Sequence, residues 1–141
     1  MPTQSRLLFV NLPVTDLAAT EAFYTAIGFT KNEVFSDEAA TGLVLTDTIW
    51  VMALTREKFA EFLSGSTQVA DPRAVTQVLN GLSADSREEV DRIADAALAN
   101  GGSPWRDATD EGFMYGRSFT DPDGNVWEVM WMDLEAATAA G

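Results

Sequence analysis

The sequence contains no cysteine and no histidine. That excludes disulfides, a thiolate nucleophile, a Ser-His-Asp triad and any imidazole or thiolate zinc site. A metal would need oxygen ligands alone, which favours Mg, Ca or Mn. Positive charge is also scarce, with 9 Lys and Arg against 22 Asp and Glu and a net charge of −13. The basic residues are scattered, and a polyanion without a basic patch is repelled by nucleic acid and by anionic membranes. Neither is expected as a partner. Long apolar runs are missing as well: nothing approaches the ~18 residues of a membrane span. The N-terminus, MPTQSRLLFVNL, lacks the apolar region and small-residue cleavage site of a signal peptide, so a cytoplasmic location is expected.

What is present is enough for a core. Apolar residues make up 46% of 141 positions, including 4 Trp and 8 Phe. Residues 7–14, LLFVNLPV, predict a first strand. Asp16 suits a helix N-cap, Leu17, Phe23, Tyr24 and Ile27 follow at roughly helical spacing, and Gly28 suits the stop. Residues 29–35 read as a weak strand, and residues 42–45 and 49–54 as better ones. Residues 56–74 are broken by Ser64-Gly65-Ser66 and Asp71-Pro72, and read as a linker with a short helix at 58–63.

The pattern then restarts. Residues 75–84 predict a strand. Ser86 and Glu89 have the spacing of a capping box, and Val90, Ile93, Ala94, Ala97 and Leu98 define an amphipathic helix that Asn100-Gly101-Gly102 ends. Residues 103–108 and 113–120 are strand candidates, residues 121–125 a hairpin turn, and residues 126–132 the last strand. The Ala-rich residues 134–141 are expected to fray. At an offset of seventy, Leu12 meets Leu82, Val14 meets Ala84 and the cap Asp16 meets the cap Ser86. Ile49-Trp50 resembles Val126-Trp127, each just after a turn. A repeat of ~70 residues is too long for a solenoid unit. The expected fold class is therefore α+β: a single domain, residues 1–133, built from two βαβββ modules at 6–55 and 75–133.

The segment SFTDPDGNVWEVMWMD, residues 118–133, places one carboxylate, Glu128, in a run of large apolar residues. A buried carboxylate needs a metal, a cation or a proton. By alternation Trp127, Val129 and Trp131 lie opposite Glu128 and are expected under a helix. Tyr115 and Arg117 share a strand face. They either orient an anionic or aromatic ligand or face solvent at a strand end.

The stretches Val10-Asn11-Leu12-Pro13-Val14-Thr15-Asp16-Leu17, Phe23-Tyr24, Ile27-Gly28-Phe29, residues 97–102 and Phe119-Thr120-Asp121-Pro122-Asp123-Gly124-Asn125-Val126-Trp127-Glu128 carry a resemblance. The chain resembles the vicinal oxygen chelate superfamily of glyoxalase I, bleomycin-resistance proteins, fosfomycin-resistance proteins and extradiol dioxygenases. The resemblance implies two modules whose curved mixed sheet surrounds a cleft, and often a homodimer. In metal-dependent members it implies four ligand positions, on the first and last strand of each module. Carried over, these fall on Phe9, on Val51 or Ala53, on Leu79 and on Glu128. Only Glu128 can bind a metal, so no metal or other cofactor is expected. Asn11 should share the face of Phe9. The expected site is a cleft lined by Phe9, Asn11, Val51, Ala53, Leu79, Glu128 and Met130, with Tyr115 and Arg117 beside it, taking a small, largely apolar molecule without metal. The alternative is a superfamily enzyme, a glyoxalase-like lyase or dioxygenase, with atypical or absent ligands. Glu128 itself has three readings: an ion pair with Arg117, a general acid or base in an apolar pocket, or a remnant touching water.

Overall fold

The structure is a computed structural model that describes residues 6–140. The chain divides between Asp71 and Pro72 into two compact units.

In the first unit, β1 (Leu8–Val14) leads into α1 (Leu17–Ala26), where the Asp16 carboxylate accepts the Ala19 N–H at 3.1 Å. Gly28 takes φ 113°, a left-handed conformation that frees the chain from the helix end. The weak strand expected at 29–35 is shorter: β2 (Thr30–Asn32) gives way to a 3-10 turn at Glu33–Phe35. The cause is local. The Asn32 side-chain oxygen accepts the N–H groups of Val34 (3.0 Å) and Phe35 (3.3 Å), offering the backbone an alternative to the ladder. Then come β3 (Ala40–Val44), β4 (Ile49–Thr55) and a short α2 (Arg56–Ala60). After α2 the chain folds back, and the Arg56 guanidinium donates to the carbonyls of Ala70 (3.1 Å) and Val69 (3.2 Å).

The sheet order is β1-β4-β3-β2, with β1 and β4 parallel. Register fixes the faces. Val10 stands beside Val51, Leu12 beside Ala53, and Leu43 beside Val51. Leu12, Leu43, Val51 and Ala53 are buried, as are Phe23, Tyr24, Ile27 and Phe29. The Tyr24 ring meets those of Phe23 and Phe29 edge-on, at 4.9 and 5.2 Å. Each such fully buried side chain contributes roughly 1.5–3 kcal/mol. The opposite face carries Phe9 with Trp50 and Asn11 with Met52.

The second unit repeats the plan. β5 (Leu79–Ser83) is followed by α3 (Arg87–Ala99), β6 (Ser103–Pro104), β7 (Thr109–Asp110), β8 (Met114–Thr120) and β9 (Val126–Met132). The sheet order is β5-β9-β8-β6, with β7 also paired to β8 and β5 parallel to β9. The strand expected at 75–84 is thus confined to its last residues. The one expected at 103–108 is split into two short pairings. Ser86 accepts the Glu89 N–H at 3.1 Å, and the Glu89 carboxylate reaches back to the Asp85 N–H at 3.0 Å, one residue earlier than a standard capping box.

The turn between β8 and β9 is held by Asp121. Its carboxylate accepts from the N–H groups of Asp123 and Asn125 and from the Asn125 amide, all at 2.9 Å, and the residue is only 2% exposed. Residues 134–140, expected to fray, form a helix, α4 (Leu134–Ala140). Asp133 caps it by accepting the Ala136 N–H at 3.1 Å; Gly141 lies outside the described residues.

Candidate functional site

The Glu128 face of the second unit is the one away from α3. Ladder partners place Glu128 between Gly81 on β5 and Ser118 on β8, and Met130 between Ser83 and Gly116. Leu79 lies on the same face in register with Val126, and Met132 with Met114. The residues on the other side of β9 behave as expected: Trp127 and Val129 are buried and Trp131 half-buried.

Glu128 is held by a residue that sequence reasoning missed. Arg106, on the strap between β6 and β7, donates from Nη2 (2.9 Å) and Nε (3.3 Å) to Glu128 Oε1. The strap is fixed underneath: the Arg106 N–H donates to Ser118 Oγ at 3.2 Å, and Ser118 donates back to the Arg106 carbonyl at 3.4 Å. Arg106 Nη1 also reaches Thr109 Oγ1 at 3.4 Å. The Glu128 side chain is 20% exposed and that of Arg106 56%. Glu128 forms an ion pair, with a different cation from the expected Arg117.

Tyr115 and Arg117 point the other way. Their strand partners are Trp131 and Val129, so they lie on the α3 side. The Tyr115 hydroxyl donates to Asp91 Oδ1 at 2.6 Å, and Arg117 Nη1 donates to Asp91 (3.1 Å) and Asp95 (2.8 Å). The Tyr115 hydrogen bond, with help from Arg117, lowers the Asp91 pKa, and the same bond to Asp91 raises that of Tyr115. Beside them Arg87 forms a fork with Asp110 at 2.9 and 2.8 Å and stacks on Tyr115 and Trp131, 5.1 and 5.3 Å from the ring centroids. Hydrogen bonds from Arg87 and from the Gly112 N–H hold the Asp110 carboxyl at about 2. These groups pin α3 and β7 to the sheet; they do not line the Glu128 face with their charged ends.

Val51 and Ala53 are corrected too. Both are completely buried in the first unit's core, facing away from Phe9 and Asn11. The repeat shows why. Glu128 pairs with Gly81; seventy residues before Gly81 is Asn11, and Asn11 pairs with Met52. Aligning Trp50 with Trp127 is one residue out of step, and a one-residue slip moves a side chain to the opposite face. Phe9 is 45% exposed and packs against Trp50 at 5.5 Å. Asn11 donates weakly to the Phe9 carbonyl, at 3.4 Å. The structure thus unites Leu79, Glu128 and Met130 on one sheet face and Phe9 and Asn11 on that of the other unit.

Two cavities adjoin Glu128. A small one of about 110 Å³ lies toward Arg106, Thr109, Gly116 and Ser118. A larger one of about 550 Å³ lies toward Gly81, Ser83, Asp85, Met130 and Met132. The latter is in the size range of small-molecule sites.

The sequence profile of the Glyoxalase/Bleomycin resistance protein/Dioxygenase superfamily matches residues 6–129. The chain belongs to this superfamily. Its fold is shared by a hypothetical protein from S. aureus, with TM-score 0.73, 23% identity, and 93% of this chain and 94% of that one covered. A glyoxalase/bleomycin resistance protein/dioxygenase family enzyme from Burkholderia phytofirmans PsJN gives TM-score 0.72, 23% identity, and 91% and 99% coverage. A structure described as lactoylglutathione lyase from Agrobacterium tumefaciens gives 0.65, 20%, and 92% and 96%. No curated protein matches the chain.

The superfamily includes metal-dependent members, and this chain's residues do not fit a metal. With Met52 replacing Val51 or Ala53 at the second position, the four carried-over positions hold Phe9, Met52, Leu79 and Glu128. One carboxylate and three apolar side chains are far from the ~6 oxygens that Mg or Mn takes. Among the described residues no three His, Cys, Asp or Glu side chains come together as a metal site. None of the described helices is long and apolar enough to cross a membrane.

Proposed function

We propose that the chain binds a small, largely apolar molecule against the Glu128 face of its second unit, without a metal ion. The observation that carries this reading is the Arg106–Glu128 pair at 2.9 Å beside the larger cavity. The single carboxylate left at the family's ligand positions is paired with a guanidinium, which weakens its attraction for a divalent cation. Around it Gly81, Ser83, Met130 and Met132 form a surface of mixed, mainly apolar character. A concave, largely apolar site with a few placed polar groups is the usual form of a small-molecule site.

Thermal unfolding with separate panels of divalent metals and small organic molecules tests the reading. A ligand that binds the folded state raises Tm by mass action, by roughly 2.7 kcal/mol of stability at a hundredfold excess over Kd. Stabilisation by an apolar molecule in the presence of EDTA is expected. Stabilisation by Mg, Mn or Ni, abolished in Glu128→Gln, would sink the metal-independent reading and favour a lyase- or dioxygenase-like enzyme.

A further inference from the structure

Both Arg106 contacts fall on the same Glu128 oxygen, Oε1, and Oε2 accepts no hydrogen bond among the described residues. Oε2 is not sealed either, since Thr20 Oγ1 is the one buried side-chain nitrogen or oxygen without a hydrogen-bond partner among them. Gly81, the ladder neighbour of Glu128, has no atom within 4 Å of where a Cβ would stand. A side chain at residue 81 would therefore project into open space beside the carboxylate. Met130 and Met132 continue the lining on the same side.

We infer that the ligand is a neutral, flat molecule carrying a hydrogen-bond donor, which it gives to Glu128 Oε2 while its ring lies over Gly81 against Met130 and Met132. The inference deepens the small-molecule reading above and rests on it. A carboxylate accepts and never donates, so its partner must bring the hydrogen. An anion is disfavoured by the −13 net charge of the chain. A cation meets Arg106, already seated on the same carboxylate. Thioethers make favourable contacts with aromatic rings, which selects a planar ligand over an aliphatic one of equal size.

Indole, 1-methylindole and indole-3-carboxylate separate these terms and are titrated calorimetrically into the wild-type protein and Gly81→Leu. Indole is expected to bind. 1-Methylindole, in which a methyl replaces the donor hydrogen, binds at least about tenfold more weakly, because a hydrogen bond to a charged group is lost. Indole-3-carboxylate keeps the donor and adds an anion; it binds more weakly than indole. Gly81→Leu fills the space and abolishes indole binding with Tm retained. If Gly81→Leu does not fold, Glu128→Ala replaces it and is expected to erase the preference for indole over 1-methylindole. Equal affinity of the wild type for indole and 1-methylindole, both blocked by Gly81→Leu, overturns the donor assignment and leaves the small-molecule reading standing. Unchanged indole binding in Gly81→Leu overturns the location. Absence of binding by both neutral indoles overturns the inference, and the metal and organic panels then judge the broader reading independently.

Discussion

Arg117 stands on the sheet and Arg106 on a strap beside it, and they serve different ends. The turn at residues 121–125 pairs Ser118 with Glu128 and Arg117 with Val129. An Arg at 117 therefore cannot share the face of Glu128, and it pairs with α3 instead. Arg106 reaches Glu128 from a strap outside the ladder. Both partners of that pair touch solvent, so its contribution to stability is small: Arg106→Ala should lower unfolding free energy by less than about 1 kcal/mol in urea titrations. A larger loss would mean that the strap itself has come away from Ser118. Asp110 gives a sharper test through pH. Its folded-state pKa, about 2, lies below the ordinary carboxylate value of 3.8. Its contribution is present above the unfolded value and is lost as pH falls through the folded one. The stability gap between wild type and Asp110→Asn should be constant at neutral pH and close between about pH 4 and 2. A gap that persists unchanged at the acid end would contradict the Arg87 fork as its source.

Elements form where short polar side chains stop or start the backbone, and most of these signals were legible. Asp16 and Ser86 mark helix starts and do cap them; Ser86→Ala should cost about 1 kcal/mol. The buried Asp121 is a stronger case, because three hydrogen bonds converge on one carboxylate. Asp121→Ala should cost about 2–4 kcal/mol, with Asp121→Asn retaining part of it, as read from Tm and denaturant midpoints. No loss in Asp121→Ala would show that Gly124 and the strands make the turn unaided. What escaped sequence reading was register. Residues 49–54, IWVMAL, are apolar at every position, so the period-two signal that assigns faces is absent. Two tryptophans then invited the wrong alignment, although Trp50 lies on the face opposite to the core while Trp127 is inside it. The short β2 and the 3-10 turn were hidden for another reason. Asn32 competes for backbone donors locally, and strand propensity does not record that competition.

For the whole molecule, the duplicated plan was legible as a restart of the strand-helix pattern near residue 75, and the two sheets have the same order. The site was less legible. Glu128 and Met130 could be placed by alternation, but Arg106 lies between two strands of two residues each, and no periodicity points to it. The excess of 13 negative charges acts at this scale. Self-repulsion destabilises the compact state and is screened over about 10 Å at 0.1 M salt. Raising NaCl from low concentration to about 0.5 M should therefore raise Tm. A falling Tm would mean that exposed ion pairs such as Arg87–Asp110 outweigh the general repulsion.

The parallel pairing of β1 with β4, and of β5 with β9, sets the order in which the chain can fold. In each unit the earliest strand waits for the latest before its edge is satisfied. During synthesis β1 has its α1 neighbour long before its ladder partner, and Leu8 cannot meet Ile49 until the intervening hairpin has emerged. The second unit waits in the same way for β9. Sheets closed by such distant pairings form slowly compared with sequential hairpins. Until then the β1 and β5 backbones are unpaired and exposed to aggregation, so nascent chains stalled just before Ile49 or Val126 are the ones expected to depend most on chaperones.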